Sequence, residues 1–169
     1  MMSEDIRFYR WQQKFSPQEE LTVEQAKSSR SFVRAYLVDG RVERAETVTP
    51  PDKIERVVYY DQIPSQVLID RHKARYRQIP LWIWLPVRVE GEYNVTEMCE
   101  YDAAGEFTGR ASYLVDANDV PSVEKRYDRA DELYEIVEYE YDSDGEITLV
   151  RSRRPDGTLI HEYHPPFSD

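Results

Sequence analysis

The sequence predicts an α+β fold: a mostly antiparallel β-meander sheet, with one or two helices in the N-terminal half. Three observations carry this. Aromatic side chains are frequent, with 13 Tyr and three Trp in 169 residues, and such side chains suit a pleated, half-buried surface. Period-two alternation is clean in the second half. In Ile136-Val137-Glu138-Tyr139-Glu140-Tyr141 it sets Val137, Tyr139 and Tyr141 on one face and Glu138 and Glu140 on the other. Helix signals fall in the first half, at Ser16-Pro17-Gln18-Glu19, at Thr22-Val23-Glu24-Gln25 and from Pro64 onward. A chain of this length makes one domain, 1–169, with a mixed part over 1–92 and a meander over 93–164.

Taken in order, residues 6–11 (IRFYRW) read as a short strand with aromatics on alternate positions. Ser16 to Glu19 has Ser at an N-cap, Pro at the first helical position and Glu at the third, a helix start. Thr22 to Gln25 repeats the signal and predicts a helix over 23–31. Residues 32–38 form a strand, Asp39-Gly40 is the hairpin turn, and 41–47 return. Pro50-Pro51 breaks the pattern before a strand over 53–60. A helix is predicted over 64–78, with Leu68, His72, Tyr76 and Ile79 at helical spacing. Then Pro80 to Pro86 brackets an apolar run containing Trp82 and Trp84. That run suits a strand buried on both faces, or an anchor for a partner. Strands over 94–101, 106–115, 123–128, 133–141, 146–152 and 158–164 complete the meander, separated by short turn signals.

Charge is unevenly placed. Residues 1–89 carry 15 Lys+Arg against 12 Asp+Glu, whereas residues 90–169 carry 7 against 21, within a net charge of −11. An acidic field of this kind repels nucleic acid and anionic membrane and attracts basic proteins or cations. No run reaches the ~18 apolar residues of a membrane span, and the N-terminus has acids where a signal peptide has bases. A single cysteine, Cys99, forms no internal disulfide. These features predict a cytoplasmic protein with neither nucleic acid nor membrane among its partners.

One frame recurs in the meander. Tyr101-Asp102-x-x-Gly105-x-Phe107 and Tyr141-Asp142-x-x-Gly145-x-Ile147 match, and Tyr127-Asp128-x-x-Asp131-x-Leu133 is a degenerate copy. Asp156-Gly157-Thr158-Leu159 repeats the turn alone. Tyr closes a strand, Asp bonds turn amides through its side chain, and Gly accepts positive φ before the next strand leaves. The stretch from Tyr139 to Ile147, running on to Arg154-Pro155-Asp156-Gly157-Thr158, resembles the YD repeats of Rhs-type toxin shells and teneurins. The resemblance is confined to residues 97–164 and implies a sheet of consecutive hairpins. Shell-forming proteins carry many more copies, so enclosure of a cargo does not follow. Residues 1–92 resemble no family.

Asp142-Ser143-Asp144-Gly145 also raises the question of a calcium loop. An EF-hand needs acids at positions 1, 3 and 5, Gly at 6 and a bidentate Glu at 12. Here Gly145 falls at 4, Ile147 at 6 and Arg153 at 12, and the sister copy has Ala103-Ala104 where oxygen ligands belong. The frame reads as a turn, and no metal or other cofactor is predicted. His161 and His164, three apart on a strand, point to opposite faces. Cys99 reads as a small core residue. Hydrolase, zincin, phosphate-loop and dinucleotide motifs are absent.

These residues predict a non-enzymatic protein-binding module with a basic protein partner. Its concrete form, leaning on the YD resemblance, is an immunity or antitoxin-like protein that neutralises a basic effector. The expected contact residues are Glu135, Glu138, Glu140, Asp142, Asp144 and Glu146, a row without Lys or Arg, together with Trp82 and Trp84. Like charges directly across strands are destabilising, so an uncompensated row points to a basic partner. Two alternatives stay open. One is an assembly module docking through the Trp-rich segment; the other is an anionic-ligand binder or enzyme using Arg71, His72, Lys73, Arg75 and Arg77.

Overall fold

The computed structural model describes residues 5–10, 15–118 and 120–165. The chain divides into two compact units, one of residues 1–85 with 100–106 and one of residues 86–99 with 107–169.

The first unit holds β1 (Asp5–Tyr9), β2 (Glu20–Leu21), α1 (Val23–Ser28), β3 (Phe32–Val38), β4 (Arg41–Thr49), β5 (Lys53–Tyr59), α2 (Gln66–Arg75) and β6 (Leu81–Trp84). Its strands lie in the order β2-β1-β3-β4-β5-β6. The helix signal at Thr22 is a complete capping box: Gln25 N–H bonds the Thr22 hydroxyl, and the Gln25 side chain returns to the Thr22 amide. The signal at Ser16 is spent on a turn, closed by Glu19 N–H to Ser16 O. Asp39 and Gly40 both take positive φ, 51° and 77°, as the two-residue hairpin requires. β5 and β6 are parallel, joined by α2 as a crossover. α2 covers one sheet face, packing Leu68 and Tyr76 on Val57, Tyr59, Leu81 and Ile83. At the far end of that face Ala26 of α1 packs on Phe32 and Val48. The opposite face buries Tyr9, Val33, Ala35, Leu37 and Ala45 under Phe15 and Tyr60.

The second unit contains β7 (Arg88–Glu90), all but the last two residues of β8 (Tyr93–Tyr101), β9 (Phe107–Val115), β10 (Pro121–Tyr127), β11 (Leu133–Tyr141), β12 (Ile147–Arg153) and β13 (Leu159–Tyr163). From β8 to β13 each strand neighbours the next in sequence, and β7 pairs with β8. No helix belongs to this unit among the described residues.

The structure corrects the α+β class. Strands dominate, the two helices are only six and ten residues long, and the parallel β5–β6 pair makes the strand arrangement mixed. Both helices do lie in the N-terminal half. The helical pattern over 64–78 is trimmed because Ser65 caps its start and Tyr76 its end. The strand expected over 6–11 ends at Tyr9, and Trp11 lies outside the described residues. No helix among the described residues is long and apolar enough to cross a membrane.

Candidate functional site

In the first unit the register of β3, β4 and β5 places Arg34 beside Glu46, Tyr36 beside Arg44 and Arg44 beside Tyr59. Glu46 is 2% exposed. Its carboxylate accepts from Tyr36 Oη at 3.0 Å, Arg34 Nη1 at 3.2 Å and Tyr76 Oη at 2.5 Å. The Arg44 guanidinium lies 3.7 Å from the Tyr36 ring centroid. Burial, reinforced by Glu46, pushes the Tyr76 hydroxyl far up, which keeps it a donor. A satisfied buried network of this kind fixes orientation. Nothing local in ERAETVT separates Glu46 from Glu43; only the pairing with β3 and the Tyr76 contact do.

The cationic segment is divided between core and surface. His72 is buried, with Nε2 2.8 Å from the Ile79 carbonyl and Nδ1 3.2 Å from the Tyr59 hydroxyl. The carbonyl requires the proton on Nε2, so Nδ1 accepts from Tyr59. Burial lowers the His72 pKa and keeps the ring neutral. Arg75 is exposed, its guanidinium 5.7 Å from the Tyr36 ring and 5.5 Å from the Tyr76 ring. Arg71, Lys73 and Arg77 are exposed. In β6, Leu81 and Ile83 are fully buried, while Trp82 is half-buried under the Arg56 guanidinium, 3.5 Å from its ring. Trp84 is half-buried too.

The hairpins from β8 onward share one turn. Asp102, Asp116, Asp128 and Asp142 each accept, through Oδ1, the amides two and four residues on, at 2.8–3.1 Å. Each also donates its own amide to the carbonyl four residues ahead, as Arg154 does in the fifth turn. The turns open at 102, 116, 128, 142 and 154, so two strands and two turns repeat every 26 residues. A one-residue register shift follows each of the last four turns, a bulge on the returning strand. Gly105, Gly145 and Gly157 take φ of 82–89°, and Asp131 takes 60° in the degenerate copy. The Asp116 copy escapes sequence reasoning because it lacks both Tyr and Gly.

This sheet separates the predicted acidic row. On one face Glu135 is buried and accepts from Ser152 Oγ and from Arg126 Nη1. Burial pushes its carboxyl up, but those donors outweigh burial and hold it below the usual range. Glu124, on the same face, accepts from Tyr139 Oη at 2.7 Å and Arg126 Nε at 2.7 Å. On the other face Glu138 meets Arg153 at 3.4 Å and Glu140 meets Arg151 at 3.7 Å. The face acids are therefore matched by arginines from neighbouring strands.

The remaining acids lie at strand ends. Strand direction sends the turns at 91–92, 116–120 and 142–146 to one rim of this sheet, and Tyr141 Oη ties two of them by donating to Pro121 O at 2.6 Å. That rim carries Glu92, Asp116, Asp142, Asp144 and Glu146, none in an ion pair among the described residues. Exposed Tyr93 and Ile147 stand beside them. The opposite rim mixes signs, with Arg154 beside Asp156 and with Asp131 paired to Arg110 at 3.0 Å.

Comparison with protein-family models, with curated proteins and with solved structures gives no significant match. Any functional reading therefore stands on these residues.

Proposed function

We propose that this chain is a non-enzymatic, cytoplasmic protein-binding module whose partner is a basic protein, engaged by the acidic rim of the meander. One observation carries the reading: Glu92, Asp116, Asp144 and Glu146, on three neighbouring hairpin tips, have no cation within ion-pair distance among the described residues, whereas the acids on the sheet faces do. Uncompensated charge of one sign steers an oppositely charged partner and sets orientation. Tyr93 and Ile147 supply apolar contact area between the acids. Its concrete form, an immunity-like protein that neutralises a basic effector, rests further on the resemblance of the Tyr-Asp-x-x-Gly frame to YD repeats. Docking through Trp82 and Trp84 has weaker support, because their strand is a core strand and Trp82 is covered by Arg56.

The test is affinity capture from host lysate with the wild-type chain and with Asp144→Lys/Glu146→Lys, at low and at high salt. The expected result is a basic protein retained by the wild type at low salt, shed at high salt and lost by the variant. Retention of the same protein by the variant would refute the rim as the contact.

A further inference from the structure

The cations around the end of α2 are left without a role by the acidic rim. Cations in a last helical turn offset the partial negative charge of the helix C-terminus, which accounts for Lys73 and Arg75 but not for Arg77, which lies beyond the helix. In a chain with 33 acids and 22 bases, Lys73 and Arg77 form no ion pair among the described residues. Asp70, the acid nearest them in sequence on α2, is held by Gln66 at 2.8 Å.

Lys73 and Arg77 line an open cleft of about 430 Å³, together with Tyr76, Gln78 and Ala103. The 102–106 turn is seated hard against α2 there. A Cβ on Gly105, at φ +82°, would fall 2.8 Å from Ile69 Cγ2 and 3.1 Å from Lys73 Cδ. The Lys73 stem thus lies against the turn. Gln78 holds a left-handed backbone, φ 59°, a conformation that non-glycine residues keep where surroundings impose it and that clusters at ligand sites. The Tyr76 hydroxyl is committed to Glu46 and does not face a ligand as a free donor. The lining residues thus include a lysine, an arginine and a glutamine, with no acid among them. In the adjoining turn, Asp102 spends Oδ1 on the amides of Ala104 and Glu106.

We propose that this cleft binds a phosphate group through Lys73, Arg77 and Gln78. A compact dianion matches two cationic residues lining one cleft, and a guanidinium fork with an amide can supply directed hydrogen bonds to its oxygens. The cleft belongs to the first unit and the acidic rim to the second, and the two share no residue, so the site stands or falls independently of the partner proposed above.

The test is amide-resolved NMR titration of the whole chain with inorganic phosphate, and separately with glycerol phosphate, at constant ionic strength against chloride. The expected result is saturable shifts confined to the 73–78 segment and the 102–106 turn, weakened about tenfold or more in Lys73→Gln/Arg77→Gln. The control Arg41→Gln/Arg154→Gln, exposed cations elsewhere, retains them. Tighter binding of one titrant assigns the site to free phosphate or to a phosphomonoester. Shifts that fail to saturate, that chloride reproduces, or that survive in the double variant would overturn the proposal.

Discussion

Glu46 and His72 show how much of this chain's polar chemistry is internal. Replacing Glu46 by Ala leaves the hydroxyls of Tyr36 and Tyr76 and the Arg34 guanidinium without their buried acceptor. The expected loss is about 3 kcal/mol, measured by denaturant unfolding; a loss no larger than that of an exposed glutamate would contradict the network. His72 makes a pH prediction. Burial depresses its pKa in the folded state, below the ~6.5 of an unfolded chain. The unfolded state therefore binds more protons as pH falls, and stability declines from about pH 6.5 downward until the folded value is passed. Glu135, also held low, has the same sign in a more acidic window, with stability present above its ordinary ~4.3 and lost below. Thermal melts between about pH 5 and pH 7 should slope for the wild type and flatten in His72→Gln, with the acid-side loss unchanged. Neither residue's setting was legible in the sequence. His72 fell at a core position of a helix but read equally as part of a cationic run. Glu46 depends on a partner thirty residues away.

At the scale of elements, the turns were the most legible feature, because Asp bonding its own downstream amides and Gly at positive φ are local chemistry. The frame still has unequal copies. Gly105→Ala meets Ile69 and Lys73 as well as the left-handed backbone, whereas an added Cβ at Gly145, at the same φ of 82°, meets nothing within 4 Å. Gly145→Ala should cost about 1 kcal/mol and Gly105→Ala at least about 1 kcal/mol more, compared by denaturant midpoints. Equal costs would show that the 102–106 turn is not packed on α2 as described. Strand existence was legible from alternation, and boundaries agree closely from β3 onward. Strand direction was not, since the side-chain pattern of Leu81 to Trp84 is the same for a parallel and an antiparallel neighbour. The short β7 went unread because all three of its residues are exposed and carry no burial pattern.

For the molecule as a whole, the sequence revealed that the second half is acidic but not which acids are answered. Arg126, Arg151 and Arg153 stand one strand away from Glu135, Glu140 and Glu138, a pairing set by register and invisible in a linear row. What is left after that cancellation is concentrated on hairpin tips, and the surface proposed to bind a basic partner becomes a rim instead of a face. The measurement that bears most directly on this account is the ionic-strength dependence of the association rate with the captured basic protein, for the wild type and for Asp144→Lys/Glu146→Lys. The expected rate falls about tenfold or more as salt rises past the ~10 Å screening regime, with the variant slow at every salt. A rate indifferent to salt, with the variant binding as the wild type does, would contradict it.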